Sequence, residues 1–445
     1  MGGRQESMHR FLKLTQPIRQ DEYPQPRVWE ANKVYEYPFH FAVPEQLLPK
    51  ACQHKLQNPA LKDAHLQPPP SFGDPALSGH GSTLLDDLAP MMAKVLYFIR
   101  VEVYRDHPND GSQIILAEGS KKLRVKPAVD EQPPLDLDIY GKHEDYCLRQ
   151  EKSLRKGMLK GKLGRMVMET TQPSAFKLPA MIPGEPFSPV TTKVRVALRF
   201  DPTDESTQPP KLSSLSSKLK VATFFSCTPR INFPSRLSLV YDGSQGYISE
   251  FLNLSTMSVG SVEWQKHESW ESPVSRRASA VSQDSDVSVI RSNSSGPSAI
   301  LEPSADYKGK SFYTATILVP LSLPMKKNIV PSFHTCLVSR VYGLHVSLGL
   351  SGQPLGSSIT LKLPVQVASE GSIGSVERRR QSSFMQQAQI DADAAFEPRN
   401  IGPPPDVFLN QSQLDGAPSA NNEPPSYTAL DVAPSMRSAS VSVAG

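Results

Sequence analysis

The chain has 445 residues, 42 of them proline, and its 48 basic against 44 acidic residues leave a net charge of only +4. That total gives no reason to expect nucleic-acid binding, and no run of about 18 apolar residues is available to span a membrane. The length suits two or three domains, and 38% hydrophobic residues indicate folded sequence diluted by disordered segments. The first ten residues lack the apolar core of a secretion signal, so we expect a cytosolic protein.

The thiols and histidines show no pattern typical of a metal or catalytic site. The cysteines are widely separated and lack Cys-x-x-Cys spacing, so we expect reduced, mostly buried thiols at Cys52, Cys147, Cys227 and Cys336. None of the ten histidines pairs convincingly with cysteines or acids at ligand spacing. His143-Glu144 lacks the second histidine of a metalloprotease helix, and Gly349 to Gly352 lacks nucleophile-elbow spacing. We therefore predict no enzyme, no catalytic residues, no metal and no cofactor.

Short strands are predicted in the first half of the chain. From Val34 to Val43 four aromatic residues recur at every second position, which is strand periodicity, and Pro38 places this strand at an edge or a bulge. Leu88 to Arg105 has the alternation of a half-buried antiparallel strand, with a core face made of Val95, Tyr97, Ile99, Val101 and Val103. Ile114 to Pro127 is interpreted as two short strands around Gly119. No stretch predicts a long amphipathic helix.

A basic stretch lies between Arg149 and Arg165. The single acid Glu151 stands against seven basic residues, which are Arg149, Lys152, Arg155, Lys156, Lys160, Lys162 and Arg165. Three interpretations remain open: a surface for acidic headgroups or phosphorylated tails, a set of lysines that accept ubiquitin, or a solvated strand face.

A second series of strands begins at Lys193. Apolar residues alternate there with polar or small ones, as in a sandwich strand, at Val194, Val196, Leu198 and Phe200. Turns rich in Pro, Gly, Asp and Ser separate most of the further predicted strands, which are Leu219–Phe225, Leu237–Tyr241, Thr314–Val319, Leu344–Leu350 and Ile359–Val367. Short strands at such intervals indicate an all-β sandwich.

A serine-rich insertion interrupts this second series between residues 271 and 306. It has eleven serines and no aromatic residue, so it cannot bury enough apolar surface to offset its ordering entropy, and we predict a disordered loop. Arg276-Arg277-x-Ser279 suits a basophilic kinase, and the polar tail repeats that pattern after Arg378. The candidate phosphorylation sites are Ser279, Ser382 and Ser383.

The tail carries a short motif, Pro-Pro-Ser-Tyr, from Pro424 to Tyr427. Two prolines hold the backbone near polyproline II, and the phenol one turn later falls on the same side as Pro424, which is the spacing that group I WW domains bind. A chain with 42 prolines also produces such a string by chance. The similar string Pro-Pro-Ser-Phe at Pro69 to Phe72 lacks the hydroxyl and lies in sequence predicted to fold, where turns explain prolines better than ligands do.

Four segments carry a family resemblance that runs over most of residues 10 to 368. They are VYEYPFHFAVPEQLLPKACQH, LAEGSKKLRVKP, EKSLRKGMLKGKLGR and VPSFHTCLVSRVYGLHVSL. They resemble the arrestin-domain adaptors called α-arrestins, in their fungal form. The resemblance implies two tandem arrestin-type β-sandwiches, at 1–185 and 190–368, with the disordered insertion at 271–306 and a disordered tail at 370–445. Members usually carry several strands before a segment like FLKLTQPI, which begins here at Phe11, so the first sandwich is expected to be incomplete and to expose strand edges.

The resemblance also implies a function and partners. The tail would dock the WW domains of a Nedd4-type HECT ubiquitin ligase through Pro424, Pro425 and Tyr427. The adaptor would bring this ligase to the cytoplasmic tails of plasma-membrane transporters or receptors, and so promote their ubiquitylation and endocytosis. It would be cytoplasmic and be recruited peripherally to the plasma membrane, with its anionic surface, and to endosomes. The candidate ubiquitin acceptors are Lys152, Lys156, Lys160 and Lys162.

A second interpretation is an arrestin-fold scaffold, or a sorting or signalling component, that acts without the ligase and carries the tail motif incidentally. Family members often have more than one Pro-Pro-x-Tyr, whereas one stands in this chain. A single motif offers no avidity within one chain, so WW binding would need help from the body or from oligomers.

Overall fold

The computed structural model describes residues 5–80, 83–107, 112–138, 145–156, 161–180, 189–268, 300–305, 307–352 and 357–371. The chain divides into two units, Met1–Lys13 with Val43–Val376 and Leu14–Ala42 with Glu377–Gly445. Within the described ranges, every helix is too short or too polar to cross a membrane.

The described elements are almost all strands. Their bounds are β1 (Gly79–His80), β2 (Thr83–Leu84), β3 (Tyr97–Asp106), β4 (Gln113–Leu123), β5 (Arg149–Arg155), β6 (Lys162–Thr170), β7 (Phe176–Leu178), β8 (Thr191–Pro202), β9 (Leu212–Ser226), β10 (Gln245–Ser258), β11 (Gln265–His267), β12 (Phe312–Ser322), β13 (Phe333–His334), β14 (Val338–Leu350), β15 (Ser358–Val365) and β16 (Val367–Ser369). The helices are α1 (Pro59–Leu66) and α2 (Ser238–Tyr241), with 3-10 turns at Gln20–Glu22 and Pro49–Ala51.

Two five-stranded sheets form the core of the larger unit. One has the order β10-β9-β14-β13, with β15 also paired to β14, and the other has the order β11-β12-β8-β6-β5. Apolar side chains of both sheets form one buried cluster, to which β8 contributes its alternate residues Val194, Val196, Leu198 and Phe200. Each of these four is at most 1% exposed, as the alternation predicts. The predicted all-β class is confirmed.

The second of these sheets includes strands from both sides of the predicted boundary at residues 185–190. β6 pairs with β8 along its length, and β5 is the edge strand beyond β6. Just before β5, Cys147 exchanges both backbone hydrogen bonds with Lys362 of β15, so the chain passes from one sheet to the other. The sandwich in the second half of the chain therefore already begins with β5, at residue 149. Local composition did not indicate this, because the order of strands in a sheet depends on pairing between distant segments.

The first half differs from its predicted strands. β4 is one strand in which Gly119 pairs with Val101, instead of two strands around a glycine turn. Val95 and Tyr97 are buried as predicted, but Val101 is 51% exposed. β3 and β4 form a two-stranded sheet with several exposed apolar side chains, among them Phe98 and Leu116. The predicted core face is therefore fully buried only at Val95 and Tyr97, where β3 begins.

Two predicted strands are wrong. Every residue of Val34–Val43 is described, yet none is in a strand; Pro38 lacks an N–H, and its carbonyl accepts from the Gln16 side chain. Leu237–Tyr241 contains α2 instead, where Ser238 bonds back to Ser235 through its N–H and its hydroxyl. Such local side-chain bonds compete with strand pairing.

Candidate functional site

Most of the predicted tail and loop sites lie outside the described residues. This holds for Pro424, Pro425 and Tyr427 of the WW motif, for Ser279, Ser382 and Ser383, and for Lys160. The predicted insertion is described only at its end, and there the chain is packed: Ser304 is 5% exposed. The predicted disorder is therefore wrong for the residues from 301 to 304.

The comparison string Pro69–Phe72 is part of the folded body. Phe72 is 1% exposed and exchanges backbone hydrogen bonds with Val95. The Tyr97 hydroxyl donates to the Pro69 carbonyl over 2.7 Å, and both prolines of the string are buried. The prediction that this string is structural is confirmed, since a buried ridge offers nothing to a WW groove.

Arg149, the first residue of the basic stretch, is buried and paired. Its side chain is 3% exposed, and it donates to Glu169 Oε2 over 2.8 Å and to Glu151 Oε1 over 2.9 Å. It also donates to the carbonyls of Glu302 and Pro303. Its role as a contact for acidic surfaces is therefore a wrong prediction, because its guanidinium is already enclosed by acids and carbonyls.

Two further arginines, Arg165 and Arg199, bind carbonyls of the same segment, residues 301–305, on the outer face of the sheet that contains β5, β6 and β8. Arg165 Nη1 donates to the Ala305 carbonyl over 2.7 Å and lies 3.6 Å from Glu151 Oε2. Arg199, on β8, donates to the Leu301 carbonyl over 2.7 Å. Burial lowers the pKa of Arg199, and its hydrogen bond to Asp201 opposes that shift. Arg165 therefore has a structural role as well.

The remaining cations of the stretch keep more exposure. Lys152 is half-buried and donates to the Ser358 carbonyl over 2.9 Å. Lys156 lies 3.6 Å from Asp204, and both side chains are largely exposed. Arg155 and Lys162 are exposed as well. Within the described part of the stretch, these four residues are therefore the ones that could still form a binding or acceptor surface.

Sequence reasoning missed a cluster of metal-ligand side chains, which we term the Cys-His cluster: Cys52, His54, His65 and Cys336. Cys52 Sγ lies 3.3 Å from His54 Nε2 and 3.5 Å from His65 Nδ1, and Cys336 Sγ lies 3.7 Å from that same nitrogen. The expectation that no histidine pairs with a cysteine is wrong. The short spacing Cys52-x-His54 was the available signal, whereas Cys336 is too distant in sequence to suggest a partner.

Local structure explains how these side chains meet. Cys52 directly follows the turn Pro49–Ala51, and His65 lies in the last turn of α1. Pro59 begins α1, and the Asn58 side chain caps it by accepting from the Ala60 N–H. Cys336 lies in the tight connection between β13 and β14. Burial lowers the pKa of His65 to about 4 and raises that of Cys336 to about 12.

The comparisons with known proteins add one family. Residues 252–369, about a quarter of the chain, match the family model described as the Bul1 C terminus. This range begins within β10 and ends with β16, so it includes five whole strands of the two large sheets, β11 to β15, together with the insertion. No curated protein matches the chain. This match is to the C-terminal domain of a Bul1-type, arrestin-related trafficking adaptor family, and it is consistent with the resemblance to α-arrestins that the sequence shows.

Proposed function

We propose that this protein is an adaptor that recruits a Nedd4-type HECT ubiquitin ligase to plasma-membrane transporters or receptors. The observation that carries the proposal is the occurrence, in one chain, of a Bul1 C-terminal domain at 252–369 and a Pro-Pro-Ser-Tyr string that ends at Tyr427. The family is one of adaptors and not of catalysts, which agrees with the lack of an enzyme motif in the sequence. Ubiquitylation of the cargo would then direct its endocytosis.

The ligase contact is assigned to Pro424, Pro425 and Tyr427. Two consecutive prolines fit a groove lined by aromatic side chains at little cost in conformational entropy, and the phenol of Tyr427 fills the neighbouring slot. The body offers a second such string, but Phe72 lacks the hydroxyl and is 1% exposed. Recruitment is therefore expected to depend on the tail string alone.

The cargo side is assigned to cations of the β5–β6 edge. Arg155, Lys156 and Lys162 are exposed, and Lys152 is half-buried beside them. Clustered cations attract acidic peptide tails, phosphorylated tails and anionic headgroups. The same lysines, with Lys160, are the candidate ubiquitin acceptors, and phosphate on Ser279, Ser382 or Ser383 would supply a competing acidic segment.

A calorimetric titration of the full chain with isolated WW domains tests the ligase contact. The wild type is expected to bind, and Tyr427→Ala is expected to bind at least tenfold more weakly, since the aromatic anchor is lost. The matched control adds Phe72→Tyr to Tyr427→Ala. This double variant has a Pro-Pro-Ser-Tyr string only at the buried position 69–72, and it is expected to show no restored binding.

A synthetic peptide of residues 66–75 with Tyr at position 72 keeps this control informative. The free peptide should bind WW domains although the intact double variant does not, because only burial separates the two. Equal binding by wild type and Tyr427→Ala would remove the ligase contact and leave the scaffold interpretation.

A further inference from the structure

The Cys-His cluster has the donors of a zinc site, and neither the family match nor the proposed function assigns it a role. We propose that Cys52, His54, His65 and Cys336 bind one structural Zn²⁺ ion. The ion would fasten the segment Leu47–Leu66 to the hairpin formed by β13 and β14. The site is independent of the tail motif and of ligase recruitment.

The spacing of the donor atoms fits a tetrahedral ion. Zinc–sulfur bonds of about 2.3 Å and zinc–nitrogen bonds of about 2.0–2.1 Å place tetrahedral donors about 3.3–3.8 Å apart. The three sulfur–nitrogen distances within the cluster are 3.3, 3.5 and 3.7 Å. All four donor atoms lie within 4.8 Å of one another. An ion at their centre is in reach of all four with little side-chain movement.

The donor set favours zinc in a closed, structural site. Two thiolates and two neutral imidazoles cancel the charge of a divalent cation, so the loaded site is neutral where burial would penalise a net charge. Soft sulfur combined with imidazole in a tetrahedral arrangement selects zinc over magnesium or calcium. Cys52, His65 and Cys336 are each at most 5% exposed, and four protein ligands leave no open position for a substrate.

The second nitrogen of His54 supports the assignment. His54 Nδ1 lies 3.3 Å from the Lys55 carbonyl, to which a protonated Nδ1 donates. This bond leaves Nε2 unprotonated and facing Cys52, which is the tautomer that a metal ligand requires.

The position of the cluster explains why an ion would matter there. The apolar group around it is small and consists of Leu47, Ala51, Cys52, Leu66 and Cys336, with Phe11, Leu12 and Leu56 packed at its margin. A core of that size contributes little stability by itself, and small units are often held by a metal. His65 and Cys336 are 271 residues apart, so the ion would close a long loop.

Metal analysis of the full-length protein tests this proposal. The chain is purified under reducing conditions without chelator, and its zinc content is measured by mass spectrometry. We expect about one zinc per chain in the wild type and a loss of at least tenfold in Cys52→Ser and in His65→Gln, since each removes a ligand. The matched controls, Cys147→Ser and Cys227→Ser, change the two cysteines outside the cluster and should keep the zinc.

Exchange of the metal for Co²⁺ in the wild type keeps the test decisive if the ligand variants do not fold. We expect the visible absorption of tetrahedral cobalt together with a thiolate charge-transfer band. Each of three results would overturn the proposal: a folded wild-type chain without zinc, an intact mass that shows a Cys52–Cys336 disulfide, or equal loss of zinc in the control variants.

Discussion

Arg199 and Asp201, two residues apart on β8, form an ion pair in which Nε lies 2.7 Å from Oδ1 and both side chains are at most 1% exposed. The same pair holds the chain where it returns from the serine-rich insertion. Arg199 donates to the Leu301 carbonyl, and Asp201 Oδ2 accepts from the Ser304 N–H over 2.7 Å. The guanidinium also lies 3.8 Å from the centre of the Phe312 ring. The pair therefore anchors one end of the insertion to the sheet.

Removal of one partner should destabilise the sandwich strongly. Asp201→Ala leaves the Arg199 charge buried without its acid, and we expect the free energy of unfolding to fall by about 3–5 kcal/mol. The matched control is Asp204→Ala, which breaks the exposed pair with Lys156 and is expected to cost less than about 1 kcal/mol. Urea denaturation followed by fluorescence measures the free energy of unfolding of both variants. An equal decrease in the two would contradict the prediction that the buried pair contributes more stability than the exposed one.

The exposed cations of the β5–β6 edge should matter for membrane contact. We predict that reversal of Arg155, Lys156 and Lys162 to Glu weakens flotation with anionic liposomes, since each basic residue near such a surface contributes about 1 kcal/mol. The net-charge control reverses Lys308, Lys310 and Lys326, which are exposed and lie outside β5 and β6. If both triple variants lose flotation equally, the effect is one of total charge and the edge is only a solvated face.

Stability should fall in mild acid partly because of His345. Burial, and then the charges of Lys220, Lys362 and Lys218, lower the pKa of His345 to about 4. The unfolded chain takes up this proton near pH 6.5 and the folded chain does not, so the free energy of unfolding drops as the pH falls from about 6.5 towards about 4. His345→Gln should flatten that part of the profile in urea melts at about pH 7 and pH 5. An unchanged slope would contradict this assignment.

Local pattern predicted the strands that bury one face. The alternation from Val194 to Phe200 is visible in sequence because side chains point to opposite faces of a strand, and the structure buries those residues as expected. The segment from Val34 to Val43 has the same alternation without forming a strand. Alternation shows which side chains could share one face of a strand, but a strand forms only where a second strand pairs with it.

Long-range pairing explains what the sequence left undetermined. The charge run at Arg149 and Arg165 suggested a surface, but carbonyls from residues 302 to 305 occupy both guanidinium groups. The Cys-His cluster depends on a contact between His65 and Cys336, which are 271 residues apart. Local spacing could indicate only the pair Cys52 and His54, since both complete arrangements form only when distant segments pack together.

The most direct test of the adaptor account is a reconstituted ubiquitylation reaction with the full chain and a Nedd4-type HECT ligase. We predict that the wild type is ubiquitylated, with Lys152, Lys156, Lys160 or Lys162 among the mapped acceptors, and that Tyr427→Ala reduces the modification at least tenfold because the ligase is no longer held nearby. Equal modification of the wild type and Tyr427→Ala by a ligase with functional WW domains would contradict the account.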